Sequence, residues 1–191
     1  MLLKTGYYIV FLIFFSSGIY AQSVVTCDST LSFWVIPNDS INYTLNLSGR
    51  VQTTEKPMVI AVNNYALQYL IVEKKYYTEE KGDNSDLKIL IRYALSECEY
   101  LSNMYKTKLN LQMQKAPVSN NNEVLIWYYA MPEDLNEQVK YQVYANLVLG
   151  DKIFGIASPQ FSDQTLNEIK DFLMDVISTL KQIEEPEKLC K

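Results

Sequence analysis

The spacing of hydrophobic and polar positions along this chain changes several times, and each change marks an element. "INYTLNLS" alternates strictly, with Ile41, Tyr43, Leu45 and Leu47 facing one way and Asn42, Thr44, Asn46 and Ser48 the other. A period of two predicts a half-buried strand. "LSFWVI", Leu31 to Ile36, precedes it across the turn-forming run Pro37 to Ser40, which predicts a hairpin. "PMVIAVNNYALQYLIVEKK" predicts two more strands around Asn63-Asn64, a pair that tolerates positive φ. The period then becomes helical. From Asp86 to Lys106 a stripe runs through Leu87, Leu90, Ile91, Ala94, Leu95 and Cys98 to Leu101 and Tyr105, and Asn84 or Ser85 can cap it. Glu97 and Glu99 are expected to flank that stripe. "KLNLQMQK" alternates again, with Leu109, Leu111 and Met113 on one face, and Ala116 to Asn122 reads as a loop.

The stretch Val124 to Met131 does not alternate. Both of its faces are apolar, and Trp127, Tyr128 and Tyr129 are adjacent large rings. A strand that is apolar on both sides is covered on both sides, so this one is expected at the centre of a sheet. A ligand groove borrowing the same rings is the other reading, because pockets are lined by the same residue types. "VKYQVYANLVLGDKIFGIAS" predicts a hairpin turning at Gly150-Asp151. A final helix is expected from Ser162 as cap, with Phe161 and Leu166 as a hydrophobic staple and a Thr165/Glu168 capping box one turn later. Its stripe runs from Leu166 to Ile183, Pro186 stops it, and the tail from about residue 184 is expected to be exposed. Two amphipathic helices are available to cover the two faces of one sheet. The fold class expected is therefore α/β (α+β), a three-layer α/β/α sandwich with a mostly antiparallel central sheet and a helix on each face.

"VLIWYYAMP", then "YQVYANLVLGDKIFGIASPQ", then "LNEIKDFLMDVISTLK" give a strand, a hairpin and a closing helix. That order resembles the Mog1/PsbP-like α/β/α sandwich over residues of about 57 to 183. The close at Ser178-Thr179-Leu180 is similar to the end of that family's helix. The resemblance implies an assembly, chaperone-like or partner-binding role and no catalysis. It carries no functional residue across.

The first residues change the picture of where the protein works. Lys4, an apolar run from Tyr7 to Phe15, and small residues up to Ala21 have the layout of a secretory signal peptide. With residues 1–21 removed, one domain over 22–191 is expected, without a stable membrane span. The leader carries one cation and no acid, so the remaining 170 residues have a net charge of −6. Such a chain has no electrostatic footprint for nucleic acid. An extracytoplasmic protein, secreted or periplasmic, is the expectation.

Candidate chemistry narrows further. The chain has no histidine, which removes Ser-His and Cys-His nucleophilic sites and His-containing metal sites. Cys27, Cys98 and Cys190 are too widely spaced for a zinc finger. Cys27 and Cys190 lie near the two ends of the domain and are the expected disulfide pair. Cys98 is expected to be a buried free thiol. Asn38, Asn42 and Asn46 each begin a glycosylation-type triplet, although Asn, Ser and Thr also suit the polar face of a strand. Glu79, Glu80, Asp83 and Asp86 cluster before the first helix without the ligand order of a calcium loop. No catalytic residue, cofactor or metal is expected. The reading is a non-catalytic protein that binds an unknown protein partner through loops 78–85 and 116–122. The alternatives are a carrier of a small apolar ligand and a carboxylate-dependent hydrolase.

Overall fold

The computed structural model describes residues 23–38, 41–117, 123–135 and 138–190, and the proposed leader lies outside them. β1 (Ser23–Thr26), β2 (Leu31–Asn38) and β3 (Ile41–Ser48) form an antiparallel meander, followed by a second made of β4 (Val51–Thr53), β5 (Val59–Val62) and β6 (Tyr65–Glu73). A 3-10 turn at Lys74–Tyr77 and a loop lead into α1 (Asp86–Tyr105). Then come β7 (Gln112–Pro117), β8 (Glu123–Ala130), β9 (Val139–Leu149), β10 (Lys152–Phe161), α2 (Leu166–Ile177) and β11 (Lys181–Ile183). The main sheet has seven strands in the order β4-β5-β6-β10-β9-β8-β7, all antiparallel. The turns fall where small or amide residues allow positive φ, at Asn63 (53°) and Gly150 (63°).

The sheet is covered on both faces, as the two-sided apolar strands require. α1 packs Leu90, Ala94 and Leu101 onto Leu125, Trp127 and Ile153. On the other side α2 packs Ile169, Leu173 and Val176 onto Ile126, Val143 and Phe154. The α2 layer is wider than a lone helix. A second sheet, ordered β1-β2-β3-β11, lies in it and turns Trp34, Ile36 and Leu45 into the same core. The residues preceding the resemblance therefore complete one face of the sandwich.

Several local expectations are corrected. β8 is buried on both faces, yet it lies second from the edge, with β7 beyond it, and β10 holds the middle of the order. β7 begins at Gln112 and takes in Ala116 and Pro117. As an edge strand it leaves Met113 42% exposed. In α1 the buried stripe is rotated: Ile89, Tyr93 and Glu97 are inside, and Leu95 is 51% exposed. That helix is apolar around much of its circumference, so its pattern allows two stripes. α2 is capped by Thr165 rather than Ser162, with Thr165 Oγ1 accepting from Glu168 N and the Glu168 carboxylate accepting from Thr165 N. It ends at Ile177, and Leu180 and Ile183 are not helical. Instead Lys181–Ile183 pairs with the free edge of β3, where backbone groups would otherwise lack partners.

Candidate functional site

Alternation along β8 splits its three rings. Trp127 and Tyr129 point under α1, and Tyr128 points to the other face, where the Lys170 ammonium lies 4.2 Å from its centroid. Trp127 stacks on Tyr144 at 3.9 Å and 4°, and Tyr93 meets it edge-on at 6.3 Å. Trp127 Nε1 donates to Asn146 Oδ1 at 2.7 Å, inside the core. The rings occupy this layer themselves, so Val124 to Ala130 is packing rather than a groove. Asn146 is fully buried, and its Nδ2 has no partner. Across the hairpin stands Gly155, where a Cβ would come 2.0 Å from that nitrogen.

Glu97 enters the same layer and is only 8% exposed. Burial raises its pKa above the usual carboxylate value. Burial, and secondarily the Glu97 charge, holds the Tyr93 hydroxyl well above its ordinary range. The Tyr129 and Tyr144 hydroxyls are likewise pushed up by burial. Cys98 is a buried free thiol whose pKa is raised by burial, against a smaller opposing effect of Ser102. A thiol raised in this way is a poor nucleophile near neutral pH. Sequence reasoning placed Glu97 beside the stripe and overlooked Asn146. Their positions did carry a signal: Glu97 lies four residues from both Tyr93 and Leu101, and Asn146 interrupts an apolar run at a position that alternation sends under α1.

The acidic loop is held as a rigid unit. Asn84 Nδ2 donates to Glu79 O at 2.8 Å, and Glu79 N donates back to Asn84 Oδ1 at 2.9 Å. Arg92 on α1 staples the loop, donating to Tyr77 O (2.6 Å), Asp83 O (3.1 Å) and Asn84 Oδ1 (2.9 Å). Two of its acids have separate ion-pair partners: Glu79 is 3.5 Å from Arg92, and Asp86 is 2.9 Å from Lys74. Asp83 accepts from Ser85 N, which lowers its pKa. No group of three or more acidic or thiol ligands among the described residues could hold a metal ion.

Strand register gathers this loop with other segments. Glu73 and Leu149 both pair with Lys152, and Leu125 lies level with Asn146 and Gly155. The loop after β6, the Gly150-Asp151 hairpin, and the ends of β7 and β8 at Pro117 and Glu123 therefore share one end of the sheet. Tyr76 stands there, 72% exposed. Of the second loop singled out by sequence, residues 118–122 lie outside the described residues.

Cys27 and Cys190 are joined by a disulfide with Cα atoms 5.3 Å apart. Asn42 and Asn46 are half-buried on β3, with side chains on the face away from the core, and Asn38 ends β2. Asp39 and Ser40, which complete the first triplet, lie outside the described residues. No described helix is long and apolar enough to cross a membrane.

No family model and no curated protein matches the chain. Among solved structures it is similar to the solution structure of cyanobacterial PsbP (CyanoP) from Synechocystis sp. PCC 6803, at 10% sequence identity and a TM-score of 0.53. The match covers 82% of this chain and 94% of that one. At that identity the likeness is one of backbone architecture, and this chain has a PsbP-like fold.

Proposed function

We propose that the chain is a secreted or periplasmic, non-catalytic protein that binds a protein partner, in the manner of an assembly factor, at the sheet end carrying loop 78–85. The observation that carries this reading is the Arg92-stapled loop beside exposed Tyr76 and the Gly150-Asp151 hairpin. Recognition residues are commonly held on loops by a rigid scaffold, and exposed tyrosine is enriched in interfaces. The PsbP-like fold supports a partner-binding role. The leader pattern and the Cys27–Cys190 bridge support an oxidising compartment. A carrier of an apolar ligand would need space that Trp127, Tyr144 and Tyr93 occupy themselves. A carboxylate hydrolase needs two acids converging on one cleft, whereas Glu79 and Asp86 of the loop pair separately.

A photo-crosslinking residue at Tyr76 or Asp151 tests the assignment, with Leu135 at the opposite end of the sheet as control. Expressed in its own envelope or secretion fraction, the chain should trap one shared species from the first two positions and not from Leu135. Trapping from Leu135 alone would refute the assignment. Turnover of a glycan, ester or peptide that is lost on changing one Asp or Glu would overturn the non-catalytic reading.

A further inference from the structure

The path of the C-terminal residues is set by register. Lys181, Gln182 and Ile183 pair with Thr44, Tyr43 and Asn42, so β11 runs towards the β2–β3 turn along one edge of the small sheet. Cys190 is bonded to Cys27, which follows β1 at the opposite edge and the opposite end. The chain between them must therefore cross the sheet from corner to corner.

Three inter-strand spacings and about six strand positions make that diagonal about 24 Å. Seven residue steps, partly in the 3-10 turn Pro186–Lys188, plus the bridge, reach about 24 Å. There is no slack for a detour around an edge. The inner face is filled by Trp34, Ile36 and Leu45, so the crossing runs over the outer face. Burial agrees. Val35 and Thr44 are paired in mid-sheet and point outward, yet they are 5% and 1% exposed. Pro186 and Leu189 in the crossing segment are half-buried. Glu184, Glu185, Lys188 and Cys190 are exposed, as expected of the tail, while the segment crosses the sheet.

We propose that residues 184–190 form a redox-released strap over the outer face of the small sheet. A dithiol supplies two electrons and two protons to the Cys27–Cys190 bond and becomes a disulfide itself, leaving two protein thiols. The far end of the strap then has no covalent tether, and the three residue pairs of β11 and the packing of Pro186 and Leu189 hold it. With its far end free, β11 frays. That opens the backbone groups of β3 as a sheet edge. The seven-stranded sheet does not depend on the strap, because α1, α2 and the inner face of the small sheet cover it.

Hydrogen exchange read by mass spectrometry on the intact chain, oxidised and then reduced with dithiothreitol, tests this. Reduction should speed exchange over residues 181–190 about tenfold or more, as expected for local opening. It should also speed tryptic cleavage after Lys181 and Lys188 while α1 and β8 to β10 keep their protection. Cys190→Ser should show the same pattern without reductant. Unchanged exchange over 181–190 on reduction would overturn the strap. So would free Cys27 and Cys190 thiols in the oxidised protein. Loss of protection throughout β9 and β10 would overturn it too, because the bridge would then staple the whole fold.

Discussion

Replacing Trp127 tests whether the aromatic layer is packing. The ring is fully buried, stacked on Tyr144 at 3.9 Å, met edge-on by Tyr93, and bonded through Nε1 to Asn146 Oδ1. Emptying a buried aromatic site costs about 3–5 kcal/mol. Trp127→Ala also strips Asn146 of its one side-chain hydrogen bond, and leaving a buried amide unsatisfied adds about 1–3 kcal/mol. The expected total is roughly 4–8 kcal/mol by these two contributions. At about 2–4 °C per kcal/mol for a chain of this size, Tm should fall by at least about 8 °C. Trp127→Phe keeps a ring against Tyr144 and loses the donor, so it should cost about 1–3 kcal/mol. Asn146→Leu orphans Nε1 instead. The double variant Trp127→Phe/Asn146→Leu leaves neither partner unsatisfied and should be more stable than the two single losses added together. Urea denaturation of all four variants measures these differences. A Trp127→Ala protein that keeps its Tm but loses a binding partner would refute the packing argument, as would strictly additive losses in the cycle.

Three further outcomes follow from the same core and from α2. Burial lifts the pKa of Glu97 in the folded state above its unfolded value. Folding is then unhindered below the unfolded pKa and loses stability as pH rises from there through the folded pKa. Glu97→Gln should be more stable than the native chain at pH 7 and equal to it near pH 3; lower stability of the variant at pH 7 would show that the carboxylate stabilises the fold. Gly155→Ala puts a Cβ 2.0 Å from Asn146 Nδ2 and 3.0 Å from Leu70 Cγ. It should cost about 1–3 kcal/mol by overpacking, with recovery in an Asn146→Ala background, and a native-like Tm would contradict the contact. Thr165→Ala removes the α2 cap and should cost about 1 kcal/mol in urea; an unchanged midpoint would place the cap elsewhere.

The fold was legible where one period ran unbroken. β3 alternates cleanly, and its Tyr43, Leu45 and Leu47 are the residues that reach the core. The two-sided apolar texture of β8 predicted cover on both faces, and both are covered. What escaped were choices made between segments distant in sequence. α1 has apolar residues around much of its surface, and only the rings of Trp127 and Tyr77 beneath it select Tyr93 over Leu95 as the inward residue. The buried amide of Asn146 makes sense only once Trp127 is seen opposite it.

β11 shows the limit most clearly. Leu173, Val176, Ile177, Leu180 and Ile183 continue at helical spacing, so nothing in their period ends α2 before Pro186. The helix stops because Thr179 is claimed from outside. Its Oγ1 accepts from Asn46 N on β3 at 2.8 Å and donates to Val176 O at 2.7 Å. That pair of bonds closes the helix and delivers the next three residues to the edge of β3, whose backbone would otherwise be left open. The same delivery sends the remaining chain towards Cys27. A terminal segment that reads as the end of a helix is therefore recruited into a sheet by one hydroxyl and the unpaired edge of a strand more than 130 residues earlier.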